Sequence, residues 1–194
     1  FDWNNEYFKK IEELTHHALD RCKGKAMVGY TDLHPGLDCV AAWRDPQQLC
    51  IDMIKAPEKV DQLINLSIAD FEMIYSHFDG ILKNANQLSV SWMGIPSFGR
   101  MHIPSCDFSS LISPNFFQRF GLQILEKEVE TMTHNIFHVD GSGVSKNIDS
   151  ILSVPEVHAV QWVQGMGNDY PIMQWVPFIK ELQSRKKQAN KVKM

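Results

Sequence analysis

The sequence predicts an α/β protein built on a parallel sheet. Short apolar runs with strand character alternate with longer helical patterns. Several of those runs stop at turns rich in Asp, His and Gly, where α/β folds with parallel strands hold their ligands. The 194 residues, 44% of them hydrophobic and 22% charged, suffice for one sizeable core. Right-handed crossovers between parallel strands leave two architectures open. One is part of an eight-stranded (β/α) barrel, which takes about 250 residues when complete. The other is an open doubly wound sheet.

The elements follow in order. Residues 4–23 have helical spacing, with Tyr7, Phe8, Ile11, Leu14, His17, Ala18 and Cys22 on the face expected to be buried and Gly24 as the stop. Residues 26–30 read as a short strand ending in a polar turn that carries Asp32 and His34. Residues 37–43 suit a short helical turn. Asp45-Pro46 then has the form of an N-cap followed by proline at the first helical position. Pro57 restarts a longer helix, whose apolar positions run to about Ile81. Residues 87–93 alternate polar and apolar, as a strand does, and reach Trp92. After a turn over 94–99, an extended piece delivers Cys106 and Asp107 to another strand end. Ser113-Pro114 caps a helix running to about Met132. A strand then ends in His138-Val139-Asp140-Gly141, followed by a short helix over 145–152, a strand over 158–163 and a helix over 177–185.

Composition narrows the function classes. The net charge of −4 argues against a nucleic-acid or acidic-membrane partner. The basic cluster of Arg185, Lys186, Lys187, Lys191 and Lys193 reads as a solvated helix end. No apolar run approaches the ~20 residues that span a bilayer. The four cysteines form no CxxC pair, which suits a reducing, cytoplasmic compartment.

Asp32, His34, Asp107, His138, Asp140 and Gln161 each fall at or just after a predicted strand end, so they are expected to converge on one mouth. His138 and Asp140, two residues apart on a strand, point the same way. A His beside carboxylates serves as general acid or base, and His138 with Asp140 also has the donor chemistry of a metal site. Trp92 and Trp162 are candidate pocket-lining residues, and Cys106 is the thiol nearest a strand end. The plain alternatives are a capping Asp, an exposed His, core tryptophans and an inert buried thiol.

Three passages give the chain a family resemblance. Residues 28–59 combine a strand, a Pro-containing turn and a helix pair that leads into Pro57-Glu58-Lys59-Val60. Ile112-Ser113-Pro114-Asn115-Phe116-Phe117 follows the loop that begins at Asp107. Residues 137–152 match a His-x-Cys-Gly strand end and its helix, with Asp140 at the Cys position. The order of these passages resembles the uroporphyrinogen decarboxylase superfamily, which includes zinc-dependent corrinoid and coenzyme M methyltransferases. Gln161-Trp162-Val163 with Gly165, Gly167 and Asn168 is similar to a poorly characterised branch.

The resemblance implies a (β/α)8 barrel, with residues 1–194 as a single domain incomplete at both ends. It implies a small-molecule enzyme with His138, Asp140 and Asp107 catalytic, and with Asp32, His34, Trp92, Cys106, Gln161 and Trp162 binding substrate. Acid/base decarboxylation is the first reading. Methyl transfer is the alternative, with zinc or another divalent metal on His138 and Asp140 and a corrinoid protein as partner; a non-catalytic ligand- or metal-binding barrel is the third. A homodimer is left open. Asp in place of Cys removes a thiolate and favours a harder ion.

Overall fold

The computed structural model describes residues 1–165 and 172–191. Gly167, Asn168 and Lys193 lie outside these residues, as do the side chains of Lys186, Lys187 and Lys191.

Helix α1 (Glu6–Cys22) starts where the Asn5 side chain accepts from the backbone N–H groups of Tyr7 and Phe8. Four helices then follow one another: α2 (Leu37–Arg44), α3 (Pro46–Lys55), α4 (Pro57–Ile68) and α5 (Phe71–Asn84). Asp45 caps α3 as its sequence predicts, with Oδ1 accepting from Gln47 N at 2.9 Å and Gln48 N at 3.1 Å. The single helix expected from Pro57 to about Ile81 is broken at Ala69-Asp70 into α4 and α5.

Strand β1 (Ser89–Val90) turns back to pair antiparallel with β2 (Pro96–Ser97). The second sheet holds β3 (Met101–His102), β4 (His134–Asp140) and β5 (Ala159–Val163), all parallel, in the order β3-β4-β5. Between β3 and β4 lie a 3-10 turn (Asp107–Leu111), α6 (Pro114–Phe116), a π-helical turn (Phe117–Gly121) and α7 (Leu122–Val129). Helices α8 (Gly141–Ser145) and α9 (Ile148–Ser153) connect β4 to β5. A 3-10 turn (Ile172–Trp175) leads into α10 (Val176–Lys191).

This corrects the barrel expectation. Among the described residues, five short strands form two small sheets and no barrel closes. Two physical reasons stand out. Helices α2 to α5 succeed one another without intervening strands, so β/α alternation is lost over that half. Residues 26–30 run extended but form no strand; Tyr30 N donates to Val90 O at 3.0 Å, while Val28 N turns to the side chain of Gln87.

The main core joins α2, α3, α4 and α7 to the inner face of β4, with Val40, Leu49, Val60, Ile64, Phe120 and Val139 fully buried. A smaller cluster packs α1 against α5 through Phe8, Tyr75, Phe78 and Leu82. The expected buried face of α1 is only partly covered: Phe8 is buried, whereas Tyr7 and Leu14 are exposed. No helix among the described residues is long and apolar enough to cross a membrane.

Behind β3, a polar pair is enclosed. His102 Nε2 lies 2.5 Å from Glu128 Oε1, with side chains 1% and 3% exposed. Tyr30 Oη donates to Met101 O at 2.9 Å and lies 3.3 Å from His102 Nδ1. Burial pushes the Glu128 carboxyl up, and the neighbouring His102 opposes that shift. Removing one partner strands the other in a dry interior. Glu128→Ala is therefore expected to lose about 3–5 kcal/mol in urea denaturation, the usual cost of breaking a buried pair. A loss below about 1 kcal/mol would mean that the pair does not support the fold.

Candidate functional site

The site grows out of the alternation of β4. Asn135, Phe137 and Val139 are buried on one face, while His138 and Asp140 project from the other. Parallel register then sets their neighbours. His138 pairs with Gln161 of β5 on one side and bridges Ser105, beyond β3, on the other. Ser105, His138 and Gln161 thus form a row across the sheet.

His138 is held by its surroundings. Its Nδ1 contacts Gln161 Oε1. With the glutamine oxygen as acceptor, Nδ1 is the donor of this contact and Nε2 is the nitrogen turned toward the rest of the site. The Trp92 ring meets the imidazole edge-on, with centroids 5.2 Å apart. Ligand atoms of Asp107, His138 and Asp140 all lie within 4.8 Å of one another. Protein packed around Asp107 raises its carboxyl pKa, and Asp38 and Asp140 push it the same way.

A second hydrogen-bonded group adjoins this cluster. Asp32 Oδ2 lies 2.6 Å from His34 Nε2, and Ser105 Oγ lies 2.9 Å from His34 Nδ1. The bond to Asp32 raises the His34 pKa, against the opposing effect of burial. Both ring nitrogens are engaged within the protein, one by Asp32 and the other by Ser105. A cleft of about 1060 Å³ opens beside these groups, with His34, Asp38, Trp43, Ser105, Asp107 and Leu111 in its wall.

Asp32, His34, Trp92, Asp107, His138, Asp140 and Gln161 come together as the sequence predicts. Cys106 and Trp162 do not join them, and alternation explains both. Cys106 follows Ser105 and faces the main core, where burial drives its thiol pKa well up. Trp162 follows Gln161 and points to the far side of β5, with ring centroids 5.1 Å from Trp175 and 4.7 Å from Phe178.

Two residues were not singled out by sequence reasoning: Ser105 and Asp38. Ser105 was legible in principle, because it lies two residues before Asp107 on an extended piece. Asp38 carries no local signal, since its partners are 69 and 70 residues away.

The strand ends approach closely. Gly141 and Gly165 adopt φ of 77° and 78°, and a Cβ on Gly165 would lie 2.9 Å from Gly141 Cα. Gly143 lets α8 rest on the Asp107 turn: its Cβ would lie 2.7 Å from Ser110 Cβ. The glycines therefore serve contacts within the protein that keep Asp140 and Asp107 side by side.

Comparison with protein-family models, with curated proteins and with solved structures gives no match.

Gly165→Ala is expected to cost about 1–3 kcal/mol, the scale of backbone strain at an unsuitable φ, measured by urea denaturation. His34 yields a pH prediction. Its folded pKa is raised above an unfolded value of about 6.5. The pairing with Asp32 therefore stabilises fully below that value and is lost as pH rises through the folded pKa. In an NMR titration the His34 midpoint should exceed about 6.5 and should fall in Asp32→Asn; equal midpoints would refute the assignment.

Proposed function

We propose that this chain carries the reaction centre of an enzyme acting on a small molecule in the cleft beside His34 and Asp107, assisted by a divalent cation on Asp107, His138 and Asp140. The observation that carries this reading is the convergence of those three ligand atoms within 4.8 Å, two from the end of β4 and one from the turn that follows β3. The donor set fits such an ion. One imidazole nitrogen and two carboxylate oxygens bind zinc at about 2.0–2.2 Å, and the absence of a thiolate widens acceptance toward harder ions. Gln161 on Nδ1 is the outer contact that metal-binding imidazoles ordinarily make. A cation would also relieve the crowding of Asp107 by Asp38 and Asp140.

The cation would supply Lewis-acid polarisation of a substrate oxygen. The protein's own groups supply the rest. His34, kept basic by Asp32, stands in the wall of the cleft. Trp92 meets His138 edge-on and fixes the orientation of its ring from that side. Methyl transfer with a corrinoid protein as partner rests on the resemblance to the uroporphyrinogen decarboxylase superfamily alone, whose barrel this chain does not form among its described residues. Four free cysteines suit a cytoplasmic setting. Metal-free acid/base decarboxylation is the second reading, favoured by the raised pKa values of Asp107 and His34.

Titration calorimetry with Mn²⁺ and Zn²⁺ tests the choice. The wild-type protein is expected to bind about one ion, His138→Ala to bind none, and Gln161→Leu to bind about 10–100-fold more weakly. A wild-type protein that binds neither ion removes the cation reading and leaves acid/base chemistry.

A further inference from the structure

One long-range connection beside the site concerns a carboxylate that is not among the three converging ligands. The 3-10 turn bearing Asp107 begins at Cys106, which makes no side-chain cap. The first N–H groups of such a turn need partners. Asp38 supplies them from α2: its Oδ2 accepts from Asp107 N at 3.0 Å and its Oδ1 from Phe108 N at 2.8 Å. Both carboxylate oxygens are thus used on consecutive amides across nearly 70 residues of chain, and such charge-assisted bonds are the stronger kind. Asp38 lies in the first turn of α2, where the helix dipole favours a negative charge.

The same turn is gripped from its other side. Lys146 Nζ donates to Ser110 O at 2.9 Å, and Gly143 of α8 packs against Ser110. The Asp107 turn is therefore clamped between α2 and α8. Asp140 and His138 take their directions from a strand, but Asp107 takes its direction from a five-residue turn, whose hold depends on this clamp.

We propose that Asp38 is a positioning residue for the site: by capping the Asp107 turn across the fold, it sets the direction from which the Asp107 carboxylate reaches the ion. The inference rests on the cation reading above. Contacts to a ligating side chain itself typically hold about 10–100-fold in metal affinity; Asp38 acts through the backbone amide of the ligand, and that range sets the scale of the expected loss.

The test measures Mn²⁺ affinity by calorimetry at one fixed pH in the full chain, with metal-free unfolding followed in parallel. Asp38→Ala is expected to bind Mn²⁺ about 10–100-fold more weakly. Asp38→Asn keeps one oxygen acceptor but turns an NH2 donor toward the second amide, so it is expected to restore only part of the affinity. Asn5→Ala removes an equivalent double cap from α1, remote from the site, and should lower stability while leaving Mn²⁺ affinity unchanged. Should Asp38→Ala not fold, Asp38→Ser, whose single short hydroxyl cannot serve both amides, carries the test with the same expected loss. Wild-type affinity in a folded Ala or Ser variant overturns the positioning role. Equal losses in the Asn5 and Asp38 variants reduce it to ordinary stability and overturn it as well. If the wild-type protein binds no Mn²⁺ or Zn²⁺, the cation reading itself fails, an outcome distinct from both.

Discussion

His138 N donates to Pro104 O at 2.9 Å, and on its other side His138 stands opposite Gln161. These two pairings hold β4 in parallel register, and the rest of the site depends on them. A shift of one residue would turn Phe137 and Val139 outward and carry His138 and Asp140 into the apolar core. Burial of Phe137 and Val139, at 1% and 0% exposure, makes that shift costly. The polar row of Ser105, His138 and Gln161 is thus secured by apolar packing on the opposite side of the same strands.

Two kinds of support surround this row. Behind it lies the enclosed His102–Glu128 pair, where neighbouring charge offsets desolvation. At its open end the support comes from side chains and glycines rather than from strand pairing: Asp38 on one flank of the Asp107 turn, Lys146 and Gly143 on the other. The strand-borne groups are fixed by the sheet, while the turn-borne carboxylate is fixed by long-range hydrogen bonds.

Local signals in the sequence were read well. Asp45-Pro46 and Ser113-Pro114 start helices, and the strands over 134–140 and 159–163 lie where their apolar runs predict. His138 and Asp140 stand at the end of β4, as the rule about strand ends predicts, whereas Asp32 and His34 follow a segment that forms no strand and Asp107 sits on a turn beyond β3. What failed was non-local. A barrel requires strand pairing throughout the chain, and the apolar run over 26–30 cannot reveal that it will pair so sparsely with its neighbour. Cys106 and Trp162 point away from the site because successive residues of an extended segment face opposite ways, although each adjoins a site residue in sequence. The apolar stripe of α1 announces a helix but does not say how much of it a partner covers.

The wide sequence separations at the site bear on the order of folding. His34 meets Ser105 across 71 residues and Asp38 meets Phe108 across 70, while His138 meets Gln161 across only 23. Closing a longer loop costs more chain entropy, and contacts of this kind form late. The β4–β5 half of the constellation is therefore expected to exist before the helical half docks onto it. During synthesis the order reverses: the helices and the Asp107 turn leave the ribosome before Gln161, so competence to bind would appear only when β5 pairs with β4.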